Sequence, residues 1–193
     1  MKLRAFAIIA ALALPTLALA DNKTPKTDKA PAAAKLSDGD VKIISHLHHV
    51  NQMEIDVGKV AQKAGTASVK SYSNTLEKDH QSSDKDLTAF AKKHGLTTIP
   101  ADKPETDADT QEQKDMTAQV AHLKTLKGAD FDKEFLTMMV TGHDKELVRI
   151  DVSINTADDS DLQTMLTSSV KPMLQRHADQ ARDLQQKSPQ ASR

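Results

Sequence analysis

The chain has 193 residues, with 26 Lys and Arg against 27 Asp and Glu and a formal net charge of -1 at pH 7. This balance argues against a nucleic-acid partner, which requires a strongly basic face. The chain has no cysteine, which excludes disulfides, thiolate metal sites and cysteine nucleophiles. It also has no Trp, one Tyr and four Phe, so its core must consist of aliphatic residues and Met, as is typical of a helical bundle.

The first twenty residues have the pattern of a bacterial secretory signal peptide. Residues 1–4 include the basic Lys2 and Arg4, residues 5–14 are apolar, and a small-residue ending predicts cleavage after Ala20. The alternative, a permanent membrane helix, needs an apolar run of roughly 20 residues. We therefore expect a periplasmic or secreted mature chain without a transmembrane anchor. Losing Lys2 and Arg4 leaves 24 basic against 27 acidic residues, a charge of -3.

The mature chain is predicted to begin with a disordered spacer over residues 21–36, rich in Lys, Ala, Thr, Asp and Pro. Residues 188–193 form a polar tail. Helical periodicity fills the range between them, 37–187, which is predicted to be one domain.

The first two helices have clear boundary signals. Ser37 is predicted to cap the first helix, with Asp40 completing a capping box. That helix runs to about Ala64, where Gly65 is expected to be a left-handed stop. The second helix opens at Thr66 or Ser68 and runs to Gly95, before a loop over residues 96–108 that contains two prolines.

Three further helices complete the predicted chain. A shorter one covers residues 109–127 and is stopped by Gly128. Asp130 is predicted to cap the next, which reaches Thr156. Asp158 or Asp159 opens the last, which runs to Lys187 and contains Pro172, where a kink is expected.

The lengths of the connections predict the topology. The connections near Gly65 and Asp158 are very short, which forces antiparallel neighbours. The predicted fold is therefore all-α, a ferritin-like four-helix bundle of two antiparallel hairpins with a long helix-containing connection. The short third helix could cross the length of the bundle or cap one end, and the sequence leaves both topologies open.

The apolar stripe of each long helix is interrupted once, near its middle, by a metal-capable residue. A stripe is the set of apolar positions spaced three and four apart. The four interrupting residues are Glu54, His80, His143 and His177. At about 1.5 Å of rise per residue, either topology brings all four toward the middle of the bundle. They are therefore candidates for a single site.

The chemistry of these residue types points to a metal ion. A carboxylate in an apolar core is costly unless it is paired or bound to a metal. Imidazole is the commonest metal ligand among side chains, and one Glu with three His suits Fe, Mn, Zn or Cu. The alternative is a buried His–Glu hydrogen-bond network without metal. Glu77, which forms an E-x-x-H pair with His80, and Asp79 are predicted to support the site.

The remaining histidines and motifs are less informative. His46, His48 and His49 are predicted to form a solvated face rather than a weak surface metal site. The sequence has no Gly-rich phosphate loop, no G-x-S-x-G and no H-E-x-x-H. Nothing in it therefore supports a conventional hydrolase or nucleotide enzyme.

Four stretches resemble a family of secreted bacterial proteins named domain of unknown function 4142. The stretches are Met53–Ala61, Glu77–His80, Gly128–Asp132 with Met139–His143, and Pro172–His177. They occur in order over nearly the whole mature chain. The resemblance implies a ferritin-like bundle in the periplasm or outside the cell, and it implies no established activity.

The chain departs from the di-iron proteins among ferritin-like folds. Those proteins use E-x-x-H on two helices. Here Val140 and Leu174 replace the Glu before His143 and His177, which favours a mononuclear site. The sequence thus predicts an exported protein linked to metal handling or oxidative stress in the cell envelope. The alternative is a non-enzymatic structural or interaction protein, and a protein partner or homodimer is compatible with either.

Overall fold

The computed structural model describes residues 35–187, which belong to one compact unit. The predicted signal peptide, nearly all of the spacer and the polar tail lie outside the described residues. All regular structure within the described range is helical, which confirms the all-α class. The helices are α1 (Asp38–Ala64), α2 (Ala67–Lys93), α3 (Asp107–Leu123), α4 (Gly128–Thr156), α5 (Ser160–Met165) and α6 (Lys171–Lys187), with a π-helical turn (Leu166–Val170) between the last two. Over residues 35–187, no helix combines the length and apolarity needed to cross a membrane.

The start of α1 is fixed by the predicted capping box. The Asp40 backbone N–H donates to Ser37 Oγ at 3.1 Å, and the Ser37 backbone N–H donates to Asp40 Oδ2 at 3.2 Å. Asp40 Oδ1 also accepts from the backbone N–H of Asp158 at 2.9 Å. The same carboxylate therefore caps α1 and ties it to the turn after α4. The adjacent Leu36 is buried and packs in the core.

The turn between α1 and α2 needs glycine, but not for the predicted reason. Gly65 has an extended backbone, with φ of -75°, so the expected left-handed stop is wrong. A Cβ at this position would lie 2.7 Å from Val69 Cγ1 and 3.0 Å from the Ala61 carbonyl oxygen. Glycine is required because α2 begins so soon that its first turn presses against the end of α1. Thr66 is the N-cap residue of α2, and its backbone N–H donates to Asp132.

Other helix boundaries differ from the sequence prediction by a few residues. α2 ends at Lys93, and Gly95 adopts the left-handed conformation just beyond it, with φ of +85°. α3 begins at Asp107 because Thr106 caps it through a capping box of its own. α4 begins at Gly128, so Asp130 is not its cap. Asp130 instead places a negative charge in the first turn, where it complements the helix dipole.

Contacts between the helices settle the topology. Three pairs link α1 to α4 and its flanking turn in antiparallel order: Asp40 with Asp158, His46 with Glu146, and Thr66 with Asp132. Two pairs link α2 to the C-terminal helices, also antiparallel: Asp79 with His177, and Lys93 with Asp161. Since α1 and α2 form one hairpin and α4 and α6 the other, α2 and α4 are parallel. The connection over residues 94–127 therefore crosses the length of the bundle, and α3 is part of this crossover.

The apolar core is divided into two clusters. The first includes Leu47 of α1, Leu87 of α2, Ile150 of α4 and Leu174 of α6. The second includes Val57, Leu76, Met139 and Ala181 of the same four helices. On each helix, the residue that interrupts the apolar stripe lies between the residues that belong to the first cluster and those that belong to the second. The bundle thus has a polar layer between two apolar halves.

Candidate metal centre

Three of the four predicted residues meet in the polar layer. His80 of α2, His143 of α4 and His177 of α6 each offer a ligand atom, and these atoms lie within 4.8 Å of one another. The three side chains are 0%, 2% and 1% exposed, respectively. We call them the histidine triad. Over residues 35–187, the triad is the only cluster of three or more metal-capable side chains this close.

One nitrogen of each triad ring is held by a hydrogen bond to a neighbouring acceptor. His80 Nδ1 donates to Asn51 Oδ1 at 2.8 Å, and His143 Nδ1 donates to the Met139 carbonyl oxygen at 2.8 Å. His177 Nε2 donates to Asp79 Oδ2 at 3.0 Å. All three of these acceptor oxygens can only accept hydrogen bonds. In each neutral ring the proton must therefore be on the nitrogen that faces the acceptor, which we call the outer nitrogen.

The other nitrogen of each ring is buried without a hydrogen-bond partner. These inner nitrogens are His80 Nε2, His143 Nε2 and His177 Nδ1. Since the outer nitrogens bear the protons, each inner nitrogen presents a lone pair. A histidine ligand of a metal typically shows this arrangement, in which the far nitrogen donates to a carboxylate or carbonyl and so fixes the ring.

Burial keeps the triad imidazoles neutral. It lowers the pKa of His80 well below the usual value, with the neighbouring His177 and His143 as further causes. Burial also lowers the pKa of His143, to about 4, and the pKa of His177. A metal ion binds only the neutral ring. At neutral pH the triad therefore needs no deprotonation before it binds an ion.

Glu54 lies in the same polar layer but outside the 4.8 Å cluster. It is 5% exposed, and its Oε2 is buried without a partner. Burial, and after it the charge of Glu146, raises the pKa of Glu54 to about 8. The pairs of His46 with Glu146 and Thr66 with Asp132 fix the register of α1 against α4, and this register places Glu54 opposite the turn of α4 that ends at His143.

The predicted supporting residues have different roles. Asp79 does orient an imidazole, but the imidazole belongs to His177 on α6 and not to the adjacent His80. Glu77 lies outside the triad, where its Oε1 accepts from Gln81 on the surface at 2.9 Å. Its Cβ faces Gly58 across the α1–α2 hairpin, where an added methyl group on the glycine would lie 3.5 Å away.

Sequence reasoning missed Asn51 and Glu146. Asn51 lies one turn before Glu54 on α1 and is 4% exposed. Glu146 lies one turn after His143 on α4 and is 8% exposed. The available signal was the spacing, since Asn51-x-x-Glu54 and His143-x-x-Glu146 each place two polar side chains on one helix face.

The prediction of a solvated histidine face on α1 is wrong for His46. Its Nδ1 lies 3.0 Å from Asp102 Oδ2, and its Nε2 lies 3.1 Å from Glu146 Oε2. We call His46 with these two carboxylates the His46 junction. His48 pairs with Asp84 at 2.6 Å, and of these three histidines only His49 is exposed.

The C-terminal helix is irregular just before His177. The Lys171 backbone N–H donates to the Leu166 carbonyl oxygen, a bond spanning five residues. Pro172 has no N–H, so it cannot make the regular helical bond to the Ser168 carbonyl. The irregularity of the helix therefore falls at this π turn, which ends two residues before Pro172. Such turns are often found at functional sites.

The fold and the triad together define a crossover four-helix bundle with a buried cluster of three histidines that could bind a metal ion. Against models of known families, residues 25–184 match the domain of unknown function named DUF4142, and the chain belongs to this family. Kinship with ferritin-like proteins stays a prediction. No curated protein matches the chain, and no solved structure matches it.

Proposed function

We propose that this protein is an exported metal-binding protein of the cell envelope. His80, His143 and His177 hold one transition-metal ion of the Fe, Mn, Zn or Cu class, and Glu54, whose carboxyl group is buried in the same layer, ionises once the cation is bound beside it. The observation that supports this most directly is the set of three inner nitrogens, all buried and all without a hydrogen-bond partner.

Burial of the three inner nitrogens without partners costs free energy. A buried polar atom without a partner destabilises the fold by about 1–3 kcal/mol. Three such atoms in one layer would take up a large part of the 5–15 kcal/mol by which a typical domain is stable. An ion bound to all three lone pairs removes this cost. Three imidazoles with an open further position also form a ligand set that zinc uses in proteins.

The alternative, a metal-free His–Glu network, fits the geometry less well. Such a network needs donors for the inner nitrogens, and every triad ring already directs its proton outward. The Oε2 atom of Glu54 is likewise without a partner. A network that only stabilised the bundle would be expected to satisfy these atoms.

Burial favours handling of the ion over turnover of a substrate. The triad is at most 2% exposed, so a substrate could not reach the ion without displacing a helix. An ion held in such a layer has no direct contact with bulk solvent. These features support a role in metal handling or protection against oxidative stress.

Elemental analysis tests the proposal. Mature protein, purified from the compartment to which it is exported and without chelator, should contain a bound transition metal. His143→Ala should abolish that content, whereas His49→Ala, which changes an exposed histidine of α1, should leave it intact. A melting midpoint unaffected by chelator and by added Fe, Mn, Zn or Cu would favour the metal-free alternative.

A further inference from the structure

The three rings of the histidine triad differ in how close their outer partners lie to solvent. The outer nitrogen of His177 is held by Asp79, whose side chain is 34% exposed. The partners of the other two rings are Asn51, which is 4% exposed, and the backbone of Met139, which is 1% exposed. His177 is therefore the triad ring that is linked to the surface, and Asp79 is the link.

Asp79 lies at one end of a groove between α2 and the C-terminal helices, which we call the α2–α6 groove. Arg176 lines the same end, and Phe90 and Asp161 line the other. The groove has a volume of about 690 Å³. A divalent ion with a shell of about six waters needs roughly 180 Å³ for them, at about 30 Å³ per water. The groove can therefore admit a hydrated metal ion as far as Asp79.

One wall of the groove is irregular in its backbone. Residues 168–170, which belong to the π turn, line this wall, and Pro172 follows them without an N–H group. Met173, one turn before His177 on α6, also lines the groove. A segment with fewer regular hydrogen bonds opens locally at a lower free energy than a regular helix. The irregular wall therefore makes it easier for the His177 ring to turn outward.

The charge of the groove favours a cation. Its lining includes the carboxylates of Asp79, Asp86 and Asp161, and the guanidinium of Arg176. Lys93, outside the lining, pairs with Asp161 at 3.2 Å, which still leaves an excess of negative charge. A cleft of one charge raises the local concentration of ions of the opposite charge and speeds their association.

We infer that the α2–α6 groove is the path by which the metal ion reaches the histidine triad, with Asp79 and His177 at its inner end. The inference rests on the proposed function, because it adds an entrance to the site proposed there. Entry requires that the His177 ring leave Asp79 and turn toward the groove. The other two rings keep their hydrogen bonds to Asn51 and Met139 and stay in place.

A second groove along the same two helices provides a comparison. It has a volume of about 260 Å³ and is lined by Ser71 and Tyr72 of α2 and by Gln180 of α6, among others. The Tyr72 hydroxyl donates to the carbonyl oxygen of His177 at 3.1 Å. This groove thus reaches the backbone of His177, whereas the α2–α6 groove reaches its ring through Asp79.

The variant Ser83→Trp tests the path by filling the groove. Ser83 lines the groove one turn beyond Asp79 on α2. Stopped flow with a fluorescent zinc indicator follows Zn²⁺ uptake by chelator-stripped mature protein, and excess chelator then measures release. Both rate constants should fall by about tenfold or more, equivalent to a barrier higher by about 1.4 kcal/mol. The Kd should stay unchanged, because narrowing a path slows both directions equally.

The variant Ser71→Trp is the matched control. It places the same side chain at an exposed serine of the same helix, in the second groove, and it should exchange zinc at the rates of the wild type. Circular dichroism verifies that each variant is folded. If Ser83→Trp does not fold, Ser82→Trp replaces it, since Ser82 is exposed and lines the α2–α6 groove as well.

The possible results separate the path from the site. Wild-type rates in Ser83→Trp overturn the path and leave the triad site intact, and slow exchange in Ser71→Trp alone moves the entrance to the second groove. A higher Kd with an unchanged association rate also overturns the path, because the substitution would then act on the triad itself. Wild-type protein that binds no zinc contradicts the proposed triad site.

Discussion

The histidine triad and the His46 junction use the same side chain in opposite ways. At the junction, both ring nitrogens of His46 lie within hydrogen-bond distance of carboxylates. In the triad, each ring has one partner, and the second nitrogen is left without one. Both regions join helices of the bundle, but of the two only the triad leaves histidine lone pairs for a ligand.

The histidine pKa values of the two regions are also shifted in opposite directions. Burial alone would lower the pKa of His46, but hydrogen bonds and charge from Glu146 and Asp102 outweigh burial and raise it. In the triad, no carboxylate outweighs burial, so the pKa of each ring falls. The difference shows that acidic partners decide whether the pKa of a histidine between helices is raised or lowered.

The largest expected effect is loss of metal-dependent stability when the triad is broken. At a metal concentration one hundred times Kd, binding stabilises the folded state by about 2.7 kcal/mol. In a domain of this size each kcal/mol raises Tm by about 2–4 °C. We therefore expect zinc to raise the Tm of the wild type by about 5–10 °C, and His143→Ala to remove the rise.

The corresponding change at the junction is the control. His46→Ala should lower Tm with and without zinc but preserve the rise that zinc causes, because His46 is not part of the triad. If His46→Ala abolished the rise in Tm caused by zinc and His143→Ala did not, the zinc ion would bind at the His46 junction and not at the triad.

The next effect is a pH dependence of the metal-free protein. The pKa of His143 is 6.5 in the unfolded chain and about 4 in the folded one. A lowered histidine pKa stabilises the folded state above pH 6.5, and this stability is lost as pH falls toward 4. At about 1.4 kcal/mol per pKa unit, the loss amounts to roughly 3 kcal/mol.

Urea unfolding of chelator-treated protein at pH 7, 6 and 5 measures the part of this loss that falls above pH 5, about 2 kcal/mol. His143→Leu, which has no titratable ring at that position, should lose less stability over the same range. Equal losses in wild type and variant would mean that the ring is not held neutral by burial.

A smaller effect is expected from Asp79, the acceptor that orients His177. Removing such an outer partner typically weakens metal affinity by about ten- to a hundredfold. We expect Asp79→Asn to weaken zinc binding within this range in a competition titration. Asp144→Asn is the matched control, because Asp144 is adjacent to His143 but pairs with Arg182 at the surface. Equal weakening in both variants would indicate a general effect of charge.

The sequence was sufficient to predict the helices and the two hairpins because the signals that determine them are local. The capping box at Ser37 and the short connection at Gly65 each depend on a few neighbouring residues, and together they predict the first hairpin. The direction of the crossover could not be predicted. It depends on contacts between distant residues, such as Thr66 with Asp132, and a helix of the length of α3 can be placed along the bundle or across its end.

The sequence reveals those residues of the site that interrupt the apolar stripe of a helix. His80, His143 and His177 stand out because each replaces an apolar residue in a stripe. Glu146 does not stand out, because it lies at the edge of the apolar stripe of α4 among the charged residues Lys145 and Arg149. It is in contact with His46 of α1, which no pattern within α4 reveals.

The smallest expected effect isolates the charge of His46. A raised histidine pKa stabilises the folded state fully below the unfolded pKa of 6.5, and the stability is lost as pH rises through the folded pKa. His46→Gln should therefore lower the urea midpoint at pH 5.5 by more than it does at pH 8.5. Since the ring is partly exposed, we expect a difference of about 1 kcal/mol or less. The sign is opposite to that expected for His143, so one buffer series on the two variants separates a charged cross-link from a buried neutral ring. If the stability lost in His46→Gln grew with pH, the junction would have to hold a neutral imidazole, and its contrast with the triad would lie in hydrogen bonding alone.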